Sequence, residues 1–382
     1  MSRIPVTHVG SLPRPAWLLD AIKARLAGSA PADYEALVRK AVEECVRRQV
    51  AAGIDIVSDG EQSKTGFFVY VQERLGGFES KPDRKMPFFP AETAAFPEYY
   101  EQYFKEAMIG RAIGRYAPFV CVGPVSYRGL EPLARDIDNF KAAMKAAGAR
   151  AGFMPAIAPG GVGANDYYKS EEEYLHAVGA AMRTEYQAIL DAGLDLQIDD
   201  PFLCDVLADP ARDERQRSAH AWLHVEAINA AIKGLPRERI RFHTCYGINE
   251  GPRLHDAPMR EVVPYLLKID AGAYSFEHAN VRHEHEVAVW DEFKLPEGRK
   301  LMPGMLFHAS NVVEHPELIA EWLERFAKRV GRDNVIAGTD CGFSSQPTYR
   351  TEVHPTVMWA KFEALRDGAR IASRRLWSTK IA

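Results

Sequence analysis

Ala52-Gly53-Ile54-Asp55-Ile56-Val57-Ser58-Asp59-Gly60-Glu61 is echoed further along the chain by Ala192-Gly193-Leu194-Asp195-Leu196-Gln197-Ile198-Asp199-Asp200-Pro201. Both stretches follow one grammar: a glycine closes a helix, a short apolar strand follows, and acidic residues collect where the strand stops. Before the first copy, residues 33–52 place Val38, Ala41, Val42, Cys45 and Val46 on one helical stripe. Before the second, Ser170 and Glu173 have capping-box spacing and open a helix that runs to Ala192. Helices and strands alternating at these lengths predict a parallel sheet with helical crossovers.

Working outward, further strands are predicted at 6–9, 119–122, 153–157, 240–243, 273–276, 301–306 and 335–338. A helix is predicted over 316–330, with Pro316 in its first turn and Leu318, Trp322 and Phe326 facing inward. The expected fold class is α/β, a (β/α)8 TIM barrel forming a single catalytic domain over residues 1–382. Nine strands are one too many for that barrel, so 119–122 is assigned to a side hairpin. A doubly wound open sheet is the alternative, but no glycine-rich phosphate loop follows the first strand. Residues 80–108 break the rhythm with Pro82, Pro87, Phe88, Phe89, Pro90, Tyr99, Tyr100, Tyr103 and Phe104. This aromatic, proline-rich insertion is expected to be a lid over the barrel mouth, a contact in a homo-oligomer, or a loop packed on its own barrel.

Bulk properties exclude several classes. With 382 residues, 47% hydrophobic and 26% charged, the chain can bury a large core. A net charge of −4 argues against nucleic acid as a partner. There is no run of eighteen apolar residues and no signal-peptide pattern after Met1, so neither a membrane span nor export is expected. The five cysteines are odd in number and scattered, which suits reduced thiols and a cytoplasmic protein. Cys45, Cys121 and Cys204 need no function beyond packing.

The predicted strand ends supply His8, Ser11, Asp59, Glu61, Asp199, Asp200, His243, Cys245, Glu277, His308, Asp340 and Cys341. Catalytic groups gather at these ends in a barrel of this type. His243 and Cys245 are one residue apart, so an extended backbone projects both to the same face. An imidazole and a thiolate on one face suit tetrahedral Zn²⁺. Cys341 and Glu277, from other strand ends, complete a four-ligand set. The plainer reading is a buried histidine with two core cysteines. Two thiolates and a carboxylate would leave a zinc site with a formal charge of about −1, a poor Lewis acid for carbonyls. Such a site is better suited to holding a substrate thiolate, with the thiol pKa lowered from ~8.5 to below neutrality. The carboxylate is the ligand that an incoming sulfur would displace. That chemistry is alkyl transfer to sulfur.

The segments His8-Val9-Gly10-Ser11-Leu12-Pro13-Arg14-Pro15, Ser58-Asp59-Gly60-Glu61-Gln62, Gln197-Ile198-Asp199-Asp200-Pro201, His243-Thr244-Cys245, Ser275-Phe276-Glu277 and Gly338-Thr339-Asp340-Cys341-Gly342 resemble, in order, the C-terminal catalytic barrel of cobalamin-independent methionine synthase. The resemblance implies Zn²⁺ held by His243, Cys245, Glu277 and Cys341. It further implies that Ser11 and nearby backbone receive a substrate carboxylate, and that Glu61 and Asp199 hold the amino group of homocysteine. His308 corresponds to the acid that helps the leaving group depart, and Asp59 and Asp200 would support the site from behind. The implied partners are a small-molecule thiol and an alkyl donor such as methyl-folate.

Some features depart from that pattern. Where a tryptophan that stacks on a pteridine is expected, the chain has Tyr167 and Tyr168. In length and in Ser275-Phe276-Glu277-His278-Ala279-Asn280 it also resembles epoxyalkane:coenzyme M transferases, which open an epoxide with a zinc thiolate. A sulfonate-bearing thiol would favour Arg14, Lys64 or Arg282 near the mouth. A zinc-free decarboxylase like uroporphyrinogen decarboxylase would lack the His-x-Cys and distant Cys, and a zinc store would be richer in cysteine. Arg282-His283-Glu284-His285-Glu286 is expected to be an exposed helix start.

Overall fold

The computed structural model describes residues 3–84, 88–114, 117–247 and 250–378. Its strands are β1 (Ile56–Ser58), β2 (Leu75–Ser80), β3 (Phe119–Tyr127), β4 (Ala151–Ile157), β5 (Ala164–Asn165), β6 (Asp195–Asp199), β7 (Ile240–His243), β8 (Ala273–Phe276) and β9 (Lys300–Pro303). Six of them form a parallel sheet in the order β1-β4-β6-β7-β8-β9. Nearly every residue of β4, β6 and β7 is buried; β4 is an apolar run, whereas β6 and β7 alternate and bury Gln197, Asp199, Arg241 and His243. Register aligns the strand ends: Ile157 lies opposite Asp199, Asp199 opposite His243, and His243 opposite Ser275.

The sheet curls beyond both of its edge strands. Leu301 bridges to Val335 and Gly304 to Gly338, while Val6 bridges to Ala337, all in parallel sense. Thr7 N–H donates to Ala337 O at 2.9 Å, and Asp55 N–H donates to Val6 O at 2.9 Å. The segments 335–338 and 5–7 therefore link β9 back toward β1.

The predicted crossover helices form as Tyr34–Ala52 and Glu171–Asp191. Gly53 ends the first at φ 90°, a left-handed conformation glycine adopts without a Cβ penalty. Ser170 caps the second by accepting from Glu173 N–H at 3.1 Å. The Glu173 carboxylate accepts from Lys169 N–H rather than closing on Ser170, so half of the predicted capping box forms. The strand expected to lie outside the main sheet does so: β3 pairs antiparallel with β2 and parallel with β5 in a separate three-stranded sheet. Phe78 stacks on Phe119 there, with centroids 4.4 Å apart.

In the insertion, the helices Pro90–Ala95 and Pro97–Glu106 gather Tyr100, Tyr103 and Ala107 with Phe89, Phe96 and Phe104 into a small core of their own. Residues 85–87, part of the proline-rich run, lie outside the described residues. The unit sits on the loop after β7: Glu92 accepts from His255 N–H at 2.5 Å, and Tyr99 donates to Glu250 O. Phe88 and Ala107 from this unit also line the cavity described below.

Helix Pro316–Val330 forms as predicted, but Leu318 is 39% exposed. Its neighbour Ile319 points inward instead, with Trp322, Leu323 and Phe326. A turn of about 100° per residue separates 318 from the 319/322/323/326 stripe. Phe326→Ala should therefore cost about 3–5 kcal/mol in urea unfolding, and Leu318→Ala no more than ~0.5 kcal/mol. Equal losses would contradict this orientation.

Candidate metal and substrate site

His243 is the last residue of β7, and its Nδ1 pairs with Ser275 Oγ on β8 at 3.1 Å. That contact orients the ring and leaves Nε2 buried without a partner among the described residues. Cys245 and Cys341 come from loops far apart in sequence, yet their sulfurs are 3.5 Å apart and form no disulfide. Donor atoms of His243, Cys245 and Cys341 all lie within 4.8 Å of one another. An unpartnered imidazole nitrogen facing two thiols is a donor set matched to zinc.

Glu277, just past β8, is grouped differently. Its carboxylate gathers with His308 and Asp340, again within 4.8 Å. Oε1 accepts from Tyr246 N–H at 3.1 Å, while Oε2 accepts from Arg253 Nη2 at 2.9 Å and Asn280 Nδ2 at 3.0 Å. Burial is the largest influence and would raise this carboxyl, but Arg253, His308, His283 and the Tyr246 N–H together outweigh it and hold Glu277 below its usual range. Asp340 accepts from the backbone N–H groups of His278 and Ala279, each at 2.7 Å. Burial and the nearby Glu277 charge still push Asp340 up to about 7. Burial depresses His308 to about 4, and its Nδ1 has no partner among the described residues.

A cavity of about 120 Å³ opens onto several of these groups. His243, Cys245, Cys341 and His308 line it together with Ser11, Glu61 and Asp199, whereas Glu277 and Asp340 are not among its lining residues. Phe67, Phe68 and Phe88 form part of its wall. Gly342 permits the close approach of Ser11, since a Cβ at that position would lie 2.0 Å from Ser11 Oγ. Glu61 is held with φ 54°, unusual for a side chain of this size, and its carboxylate pairs with Lys64 Nζ at 2.8 Å. Asp199 accepts from Gln197 Nε2 at 2.8 Å but has no ion pair among the described residues. Burial and the Glu61 charge raise it well above the ordinary aspartate range. Lys64 pairs with Glu61, while Lys64 and the buried Arg241 act on Asp199 only from farther off, which leaves Asp199 open to a cation in direct contact.

The supporting residues fall into place behind this rim. Asp59 accepts from Glu61 N–H at 3.0 Å, and Asp200 binds His224 Nδ1 at 2.8 Å. Arg14 and Lys64 are buried rather than solvated at the mouth. Arg14 clamps the carbonyls of Glu61, Lys64 and Ser344, and Lys64 also donates to Pro155 O at 2.6 Å. Arg282 reaches the carbonyl of Leu254. A short helix does start there, at Glu284–Asp291 with His285 exposed, but His283 before it is buried: it stacks on Tyr246 at 4.1 Å and bonds Asp256 and Glu286. Tyr167 and Tyr168 belong to the side sheet's loop, where the Tyr168 hydroxyl accepts from Val125 N–H. The residue that sequence reasoning missed is Arg253, because nothing in Gly251-Pro252-Arg253 signals a buried counter-ion.

The fold and this rim define a class. The sequence profile described as "Cobalamin-independent synthase, Catalytic domain" matches residues 4–90 and 155–361, and the chain belongs to that family. The unmatched stretch between them holds nearly all of the two insertion helices, β3, helix Glu131–Ala147 and the start of β4. More particularly, the chain is 23% identical over 349 residues to the methionine synthase of Sulfolobus acidocaldarius, covering 90% of this chain and 87% of that protein. It is 25% identical over 344 residues to the methionine synthase of Thermococcus kodakarensis, covering 89% and 86%. Among solved structures, a B12-independent methionine synthase from a Shewanella species in complex with selenomethionine superposes with a TM-score of 0.72. That pair is 23% identical, with 99% of this chain and 100% of that one covered.

Removing Lys64 would leave Glu61 buried without its ion-pair partner. Lys64→Met should cost about 3–5 kcal/mol in chemical denaturation, whereas Arg25→Met, which breaks an exposed pair with Glu73, should cost at most ~1 kcal/mol. A Lys64→Met protein as stable as the parent would show that Glu61 is neutralised some other way.

Proposed function

We propose that this chain is a zinc-dependent thiol methyltransferase that methylates homocysteine, with His243, Cys245, Cys341 and Glu277 as metal ligands. The observation that carries the reading is the meeting of one imidazole and two thiols in the wall of a cavity also lined by Glu61, Asp199 and Ser11. Family membership supports it, as do relatives named methionine synthase that match most of this chain. The scaffold is a (β/α)8 barrel over residues 1–382, a reading supported by the parallel bridges that join β9 to 335–338 and 335–338 to Val6. Among the described residues no helix is long and apolar enough to cross a membrane, and all five cysteines are free thiols, which fits work in a reducing compartment such as the cytoplasm.

Zn²⁺ bound there would lower the pKa of a substrate thiol and keep the resulting thiolate nucleophilic. The protein's own residues do the rest. Ionised Asp199 and Glu61 take the substrate ammonium between them, and Lys64 keeps their combined charge near that of a single anion. Ser11 Oγ and neighbouring backbone meet the substrate carboxylate. His308 lines the same cavity and is kept neutral by burial, so it would take up a proton from solvent before passing that proton to a departing donor fragment. The phenylalanine wall and the insertion helices limit water at the sulfur. The donor is methyl-folate or a similar methyl carrier.

The charge argument sets a pH dependence. A raised Asp199 must lose its proton before it can accept an ammonium ion, so homocysteine KM should fall as pH rises above the ordinary aspartate range. The des-amino analogue 4-mercaptobutyrate shares the thiol titration but not this one, so the ratio of the two KM values isolates it. Asp199→Asn should flatten the ratio and raise homocysteine KM by about 10–100-fold. No methylation of homocysteine by methyl-folate, with turnover only of an epoxide and coenzyme M, would replace this reading with epoxide opening.

A further inference from the structure

The loop after β7 contains a feature that metal binding alone does not require. Arg253 is 3% exposed and has φ 56°, a left-handed backbone that a long side chain adopts only where its surroundings enforce it. What the loop achieves is the delivery of a fixed cation to one carboxylate. Arg253 Nη2 donates to Glu277 Oε2 at 2.9 Å, and Nε donates to Asp256 Oδ2 at 3.2 Å. Its guanidinium lies over the Tyr246 ring, 5.1 Å from the centroid. Tyr246 is fixed by His283 stacked against it at 4.1 Å, and His283 is held by Asp256 and Glu286. Tyr246 N–H and Asn280 Nδ2 supply two more bonds to Glu277.

These contacts bear on how a thiol can enter. Displacing a buried carboxylate from a divalent ion ordinarily leaves a charge with no partner, which is strongly unfavourable in a water-poor site. Here the released carboxylate already has a cation and two amide donors within hydrogen-bond distance. We propose that Arg253 is a positioning residue that receives Glu277 as substrate sulfur replaces it on the metal, and so sets how readily the thiol is admitted. This rests on the ligand set assigned under the proposed function. In the exchange one metal–oxygen bond is replaced by one metal–sulfur bond. The thiol proton leaves to solvent through the cavity, and Glu277 keeps its charge against Arg253.

The test uses the full chain loaded with Co²⁺, read by sulfur-to-cobalt charge-transfer absorption during homocysteine titration, with Arg253→Met and Arg253→Lys beside the parent. Without the guanidinium, Glu277 should stay on the metal. Arg253→Met should bind homocysteine about ten-fold or more weakly and lose cobalt to a chelator more slowly than the parent, since loss too strands Glu277. Arg253→Lys, which keeps the charge, should fall between the two, and it carries the test if the methionine variant fails to fold. Parent-like homocysteine binding in the variant that folds, or faster cobalt loss, would overturn the proposal. A parent protein that shows no sulfur-to-cobalt band would instead remove the ligand assignment, and this inference with it.

Discussion

Parallel pairing is the constraint on which everything else depends. Because β1, β4, β6, β7, β8 and β9 run in one direction, their carboxyl ends share an edge. A residue at the end of one strand is therefore close to residues at the end of the next, whatever their separation in sequence. Asp199 beside His243, and His243 beside Ser275, follow directly from the register. Cys245 and Cys341, 96 residues apart, meet at 3.5 Å for the same reason. Strands buried on both faces leave that edge as the place where polar chemistry can be exposed to a ligand.

The edge is rich in buried charge, and most of it is matched within the protein. Glu61 has Lys64, Glu277 has Arg253, and Asp200 has His224. Asp340 is held by two backbone N–H groups and Asn280. Against that background the less satisfied groups stand out. Among the described residues Asp199 has an amide partner but no ion pair, and His243 Nε2 has no partner. One calls for a positive ligand group and the other for an electrophile that accepts nitrogen and sulfur. An amino thiol and a zinc ion meet those two demands together.

Much of the frame was legible in the sequence because it rests on periodic signals. Gly53 and Gly193 mark helix ends, the apolar runs mark buried strands, and Ser170 marks a helix start. The side-sheet position of 119–122 followed from counting strands. The inward face of 316–330 was placed one residue off, since Leu318 and Ile319 are both apolar and hydrophobicity alone does not choose between them. At the site, residue types at strand ends brought His243, Cys245, Cys341, Ser11, Glu61, Asp199 and His308 onto one cavity wall. Partner choice was less visible. Whether Lys64 is a solvated charge or the buried partner of Glu61 depends on a turn through Glu61 at φ 54°. The Arg253–Glu277 pair depends on an irregular loop with no repeat to read. His283 was misjudged for the same reason: a charged pentapeptide looks solvated until Tyr246, Asp256 and Glu286 close around it.

The central claim is that one imidazole and two thiols hold an ion that also accepts sulfur from the substrate. Zinc-edge X-ray absorption of the zinc-loaded chain, before and after homocysteine, tests it most directly. The account predicts two sulfur scatterers with one nitrogen and one oxygen at rest, and a third sulfur replacing the oxygen when the thiol is added. A first shell without sulfur, or one that homocysteine leaves unchanged, would contradict it.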